Sequence, residues 1–183
     1  MMADLGVTVR SLDEYPQLPE IAEDGASFFE NALTKARTVA EFTGELALAD
    51  DSGIEVDALH GAPGIYSARY AGDGADDGQN NRKLLNDLKG VPPAERGAAF
   101  RCVLVLCRPD GSYEAFDGRW AGRITEVPAG EGGFGYDPVL FLPDLGLTVA
   151  QLSPDVKSRI SHRGQAFAKL KAWLQKGFEE NGA

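Results

Sequence analysis

The sequence predicts an α/β fold with a mixed β-sheet flanked by helices, and three observations carry that prediction. Capped, helix-like segments alternate with β-rich runs. Two of those runs lie close enough together to form a long hairpin. The composition, 43% hydrophobic and 25% charged, is that of a soluble globular chain, not of a disordered or fibrous one. At 183 residues the chain can bury one substantial core and is short for two, so a single domain over 1–183, at most lobed, is expected.

The elements follow in order. Ser27-Phe28-Phe29-Glu30 has the Ser-x-x-Glu form of a capping box, and the Ala-rich stretch behind it stops at Gly44, which predicts a helix over 28–43. Leu46 to Ala49 is a short apolar run and Ile54, Val56 and Ala58 alternate with polar neighbours, so two strands are expected to flank an acidic loop, Asp50-Asp51-Ser52-Gly53. A polar loop from Gly72 leads into a helix carrying Leu84, Leu85 and Leu88, closed by Gly90 and Pro92-Pro93. Phe100 to Arg108 and Tyr113 to Thr125 are rich in β formers around Pro109-Asp110-Gly111, which predicts the hairpin. A Gly-rich loop from Gly130 to Pro138 precedes a strand from Val139 to Leu142. Ser153-Pro154 opens a short helix, and Ser161 caps a last one with Phe167, Leu170 and Leu174 as its apolar stripe.

A net charge of -10 argues against a nucleic-acid partner, because phosphate backbones are bound mainly through Lys and Arg. A small phosphorylated substrate stays open, since a divalent metal can bridge its charge to carboxylates. No apolar run approaches the ~20 residues of a membrane span, and the N-terminus has no basic-then-apolar export pattern. The expectation is therefore a cytoplasmic protein without a membrane partner. Cys102 and Cys107 match no metal or redox spacing and read as buried free thiols.

Three segments have the residue types chemistry needs. In Asp50-Asp51-Ser52-Gly53, at the end of a short strand, one carboxylate can hold a metal ion while the other orients or deprotonates water; alternatively it is a solvated Asp-rich turn. Glu23 and Glu30 are further oxygen donors, Glu30 being equally a simple capping partner. Gly130-Glu131-Gly132-Gly133-Phe134-Gly135-Tyr136-Asp137-Pro138 lets backbone approach a ligand, offers two aromatics that can stack on a base, and ends on an acceptor, Asp137. The plainer alternative is a tight connection whose aromatics cap the core. Lys157-Ser158-Arg159-Ile160-Ser161-His162-Arg163-Gly164 gathers four basic side chains near a helix N-terminus, suited to phosphate or keto oxygens, or else simply balancing acidic neighbours.

Taken together, Glu-Asp-Gly (23–25), Ser-Phe-Phe-Glu-Asn-Ala-Leu-Thr-Lys-Ala (27–36), Ala-Asp-Asp-Ser-Gly (49–53), Gly-Ala-Pro-Gly-Ile-Tyr-Ser-Ala-Arg-Tyr (61–70), Gly-Gly-Phe-Gly-Tyr-Asp-Pro (132–138) and Lys-Ser-x-Ile-Ser-His-Arg-Gly-Gln-Ala (157–166) resemble the inosine triphosphate pyrophosphatase family, also described as dITP/XTP pyrophosphatases. The resemblance runs along essentially the whole chain. It implies hydrolysis of ITP, dITP and XTP to the monophosphate and pyrophosphate with Mg2+, in an elongated two-lobed α/β fold with a central cleft, usually a homodimer. By similarity Asp51 is proton acceptor and magnesium ligand, with Glu23 a second ligand and Asp50 its acidic neighbour. Ser52 is a substrate contact; Phe134, Gly135, Tyr136 and Asp137 form the nucleoside pocket; Lys157, His162 and Arg163 meet triphosphate and base; and Lys35 faces the phosphates.

Members of that family begin with a strand and a Thr/Ser-x-Asn-x-x-Lys loop. Here residues 1–6 look like the end of the first helix, which implies that roughly 15–25 residues are absent. That feature supports a rival expectation, a catalytically incomplete nucleotide-binding protein. A general magnesium phosphatase fits less well, because no Asp-x-Asp nucleophile motif is present.

Overall fold

The computed structural model describes residues 7–181; residues 1–6, where the sequence predicts the end of a first helix, lie outside them. Among the described residues the order is α1 (Phe28–Thr43), β1 (Ala47–Val56), α2 (Asp77–Asp87), β2 (Gly97–Cys107), β3 (Tyr113–Ile124), β4 (Leu140–Leu142), β5 (Leu147–Thr148), α3 (Pro154–Ile160) and α4 (His162–Asn181). The five strands lie side by side in sequence order. β4 runs antiparallel to β3, Arg123 opposite Phe141, and to β5, Phe141 opposite Thr148. The predicted α/β class holds, and the β2–β3 hairpin falls where its turn residues put it.

α1 forms where its caps require. The Ser27 hydroxyl accepts the Glu30 N–H at 3.2 Å, and the Glu30 carboxylate accepts the Ala26 N–H at 2.7 Å. Glu30 thus has the capping role that its spacing from Ser27 predicts. Gly44, with φ of +69°, ends the helix in the left-handed region. Phe28, Asn31, Ala32, Ala36 and Ala40 make its buried stripe, a 3.6-residue periodicity in which one member is polar.

The acidic segment departs from expectation. β1 is one continuous strand through Asp50-Asp51-Ser52-Gly53, not two strands around a loop. An acidic run reads as a turn because unpaired carboxylates need water; here the Asp51 charge is met inside the protein, as described below, so the backbone stays extended. Asp51 accordingly stands in mid-strand and not at a strand's end.

The chain clusters into two compact units. The first comprises the stretch ending at Asp51, Val103–Asp117 and the stretch from Gln165 onward. It buries the alanine face of α1, much of the end of β2, and Leu170, with Phe116 edge-on to Trp173 at 6.1 Å. The second comprises Ser52–Cys102 and Gly118–Gly164. Its core includes Ile54, Val56, Leu84, Leu88, Ile124, Val139 and Leu140, each fully buried aliphatic side chain contributing about 1.5–3 kcal/mol. Cys102 and Cys107 are buried and not joined in a disulfide, and none of the described helices is long and apolar enough to cross a membrane.

Within the second unit α2 is capped by Asp76, which exchanges hydrogen bonds with Gln79. Its far end holds a small charged cluster: the Asp87 carboxylate accepts from Tyr70 Oη at 2.7 Å and from Lys83 Nζ at 2.7 Å. Burial and the Asp87 charge push the Tyr70 phenol up to about 12.

Two outcomes follow from these contacts. Ser27→Ala should cost about 1 kcal/mol and lower Tm by roughly 2–4 °C for a chain of this size, whereas Ser27→Asp should retain the cap; thermal melts of the three proteins decide. The folded state holds the Tyr70 proton more tightly than the unfolded chain, whose phenols titrate near ~10, so this contribution is full below that pH and is lost as pH rises toward 12. Tyr70→Phe should flatten part of that alkaline loss in urea unfolding, with the buried Tyr136, also pushed up by burial, still contributing the rest.

Candidate active site

In the first unit, four side chains meet at β1 and α1. Lys35, on α1, donates from Nζ to Asp51 Oδ1 at 2.8 Å and to Glu23 Oε1 at 3.2 Å. Asn31, one turn earlier on the same helix, donates from Nδ2 to Asp51 Oδ2 at 3.3 Å and accepts the Gly25 N–H at 2.9 Å. Both oxygens of Asp51 are therefore held, and the segment that carries Glu23 is tied to the same asparagine through Gly25. Asp51 is only 8% exposed. Burial pushes its carboxyl up, against the opposing pull of Lys35 and Asn31. For Lys35 burial works against the charge, but Asp51 and then Glu23 outweigh it and hold the ammonium above its ordinary value.

A buried carboxylate whose proton affinity is raised by burial is better suited to taking a proton from water than a solvated one. The pair Asp51 and Glu23 also tests as a cation site. One ammonium lies within hydrogen-bonding reach of both, so both converge on a single positive charge with hard oxygen donors. No group of three or more Asp, Glu, His or Cys gathers among the described residues. Two carboxylates match the way magnesium is held, with its remaining positions left to water and phosphate oxygens. Asp50 and Ser52, the strand neighbours of Asp51, are half-buried.

Asn31 is the residue sequence reasoning missed. A signal existed: it is the polar member of an otherwise apolar helical stripe, 1% exposed, and a buried amide must find partners.

In the second unit, the Gly-rich loop and the basic segment meet. Phe134 is 60% exposed; the Lys157 ammonium sits 4.0 Å from its ring centroid and the Arg163 guanidinium 5.9 Å, both within the range of cation–π attraction. Lys157 reaches this position on α3, capped by Ser153. There it forms an ion pair with Asp137, which is 1% exposed and also accepts the Phe134 N–H at 2.9 Å. Gly133 is required: its φ is +79°, and a Cβ there would stand 1.8 Å from Asp137 Oδ2.

Three predicted site residues are placed differently from expectation. Tyr136 presents no open ring face: it is 4% exposed, packs in the core, and donates to the Ser67 carbonyl at 2.8 Å. Asp137 is not an open acceptor for sugar or base, because its carboxylate is engaged by Lys157 and by the loop backbone. His162, at the start of α4, is 5% exposed with its ring stacked on Phe100 at 4.8 Å. Phe134, Lys157 and Arg163 are brought together; Gly135 is half-buried beside them.

Residues 1–173 match the Ham1 family. A dITP/XTP pyrophosphatase of Geobacter sulfurreducens is 53% identical over 170 residues, 93% of this chain and 85% of that protein. One of Nitratidesulfovibrio vulgaris is 53% identical over 171 residues, 90% of this chain and 83% of its own. Among solved structures, the Staphylococcus aureus Ham1 protein superposes with a TM-score of 0.86 at 43% identity, covering 91% of this chain and 85% of that one. A dITP/XTP pyrophosphatase from Mycobacterium abscessus gives 0.79 at 45%, covering 90% and 84%. Identity at this level along nearly the whole chain, with the fold and motif order in agreement, means that this protein belongs to the Ham1 family.

Proposed function

We propose that this protein is a nucleoside triphosphate pyrophosphatase that hydrolyses ITP, dITP and XTP to the monophosphate and pyrophosphate, keeping non-standard purines out of DNA and RNA. The observation that carries the chemistry is the buried Asp51 carboxylate held between Lys35 and Asn31. The substrate class rests on the relatives, which are named dITP/XTP pyrophosphatases at about half identity.

Asp51 takes a proton from the water that breaks the α–β anhydride, its two oxygens fixed so that the basic lone pair keeps one direction. Glu23 and Asp51 hold Mg2+ when it is bound, which supplies charge neutralisation for the phosphate oxygens. Lys35, already beside both carboxylates, offers its ammonium to the triphosphate, and Ser52 is a further contact. Phe134 provides a face for the purine, and Lys157 places positive charge over that same face. Gly135 lets the backbone come close, with Tyr136, Asp137 and His162 holding the loop and helix start from behind.

Base choice has a physical basis in Arg163. Hypoxanthine and xanthine present a keto oxygen where adenine presents an amino donor. A guanidinium aimed there is left facing a donor when adenine enters, a mismatch worth several powers of ten in a closed site. The binding-only alternative is not favoured, because the relatives at about half identity along nearly the whole chain are named pyrophosphatases. We further propose that it acts in the cytoplasm as a homodimer, without nucleic-acid or membrane partners.

Asp51→Asn should keep the fold and lower ITP hydrolysis by about two or more powers of ten, since the amide neither accepts the proton nor binds a cation as an anion. Turnover near the unsubstituted protein's, measured at saturating magnesium with separate detection of pyrophosphate and phosphate, removes Asp51 from the mechanism. Arg163→Ala should narrow the preference for ITP over ATP, whereas Lys157→Ala should weaken both alike. Proportional loss in both variants, read from kcat/KM for each nucleotide, excludes a base-reading role for Arg163.

A further inference from the structure

α2 turns three polar side chains toward two segments of the second unit. Asp77 accepts the Gly135 N–H at 2.6 Å, and Asn81 donates to the Gly135 carbonyl at 2.8 Å. Asn80 grips residues 68–71 instead, donating to the Ala68 carbonyl at 3.1 Å and accepting the Ala71 N–H at 2.8 Å. Asp77 and Asn81 are i and i+4 on the helix and so share a face. Together they hold both backbone polar groups of one residue.

That residue is a glycine whose conformation no packed side chain fixes. Gly135 lies in the left-handed region at φ of +60°, with nothing within 4 Å of where a Cβ would be. It has no side chain of its own to pack, and glycine has the widest conformational choice of any residue, so its backbone is restrained through the hydrogen bonds to Asp77 and Asn81. On one side Tyr136 is buried and anchored on Ser67; on the other Phe134 is 60% exposed. The peptide between them decides how the exposed ring leaves the anchored segment.

We infer that Asp77 and Asn81 are positioning residues that set base selectivity by locking Gly135, and through it the Phe134 ring beneath Lys157 and Arg163. The ligand identity rests on the proposed function; the lock itself does not. A ring held 4.0 Å from one cation and 5.9 Å from another is a preorganised face, and preorganisation lowers the ordering cost of binding. If the peptide is released, the ring and Arg163 lose a common register. The keto purine then loses its advantage over adenine.

The test compares Asp77→Ala, Asn81→Ala, Asp77→Asn and the control Asn80→Ala. Hydrogen exchange of residues 133–137 in the protein alone should quicken in the first two. KM for ITP should rise about tenfold, an ordering loss of the size expected for a released binding segment. The kcat should stay within about twofold and the ITP-to-ATP ratio of kcat/KM should fall. Asp77→Asn should restore the ratio, because an amide oxygen still accepts the Gly135 N–H. Asn80→Ala should lower Tm without changing the ratio. Because Asp77 is exposed, Asp77→Ala carries the test if Asn81→Ala folds poorly. An unchanged ratio in Asp77→Ala, or an equal fall in Asn80→Ala, overturns the inference. Absence of pyrophosphate from ITP in the unsubstituted protein overturns the proposed function, and loop exchange then judges the lock: unchanged exchange in Asp77→Ala overturns it too.

Discussion

A carboxylate buried in the middle of a β-strand is the constraint on which the first unit is arranged. Removing such a charge from water costs several kcal/mol unless partners replace the lost solvation. For Asp51 the partners are an ammonium on one oxygen and an amide on the other, both from α1. Their positions four residues apart put Asn31 and Lys35 on one face of that helix. The caps at Ser27 and Gly44 fix where the helix starts and stops, and thereby which residues meet the strand. Asn31 then extends the constraint to Gly25, and Lys35 to Glu23. One buried charge thus determines the course of the segment before α1 as well as the strand.

The second unit repeats the device with different partners. Asp137 is almost wholly buried and is met by Lys157 and by the Phe134 amide. Here the buried charge organises a loop, and the polar groups left over by the left-handed glycine are taken up by α2. The result is an exposed aromatic face bordered by two cations in a chain whose net charge is -10. An acidic protein can attract a polyanion only where positive charge is concentrated locally, and Lys35, Lys157 and Arg163 are each held in place by a specific contact.

Much of this was legible in the sequence. Capping signals located α1 and α3 because a cap is a local bargain between one side chain and the next turn of backbone. Turn residues located the hairpin for the same reason, and motif order identified the family. The motifs also name side chains that the fold brings together, Glu23 and Asp51 around Lys35, and Lys157 and Arg163 around Phe134. What failed was non-local. The run Asp50-Asp51-Ser52-Gly53 is turn-like by composition, and only the arrival of Lys35 and Asn31 lets it remain extended. Tyr136 and Phe134, two residues apart in one loop, were indistinguishable as stacking faces. Burial of one against Ser67 and exposure of the other separate them.

The sequence by itself determined which chemical groups are present and which local elements carry them, since capping, turn formation and periodicity act within a few residues. Tertiary structure alone decided which carboxylates are open to solvent and which are locked, which aromatic is a surface and which is core, and that Asn31, Asp77 and Asn81 have partners 20, 58 and 54 residues away. The reason is that solvation of a charge or amide depends on whatever chain arrives beside it, and no local pattern encodes that arrival.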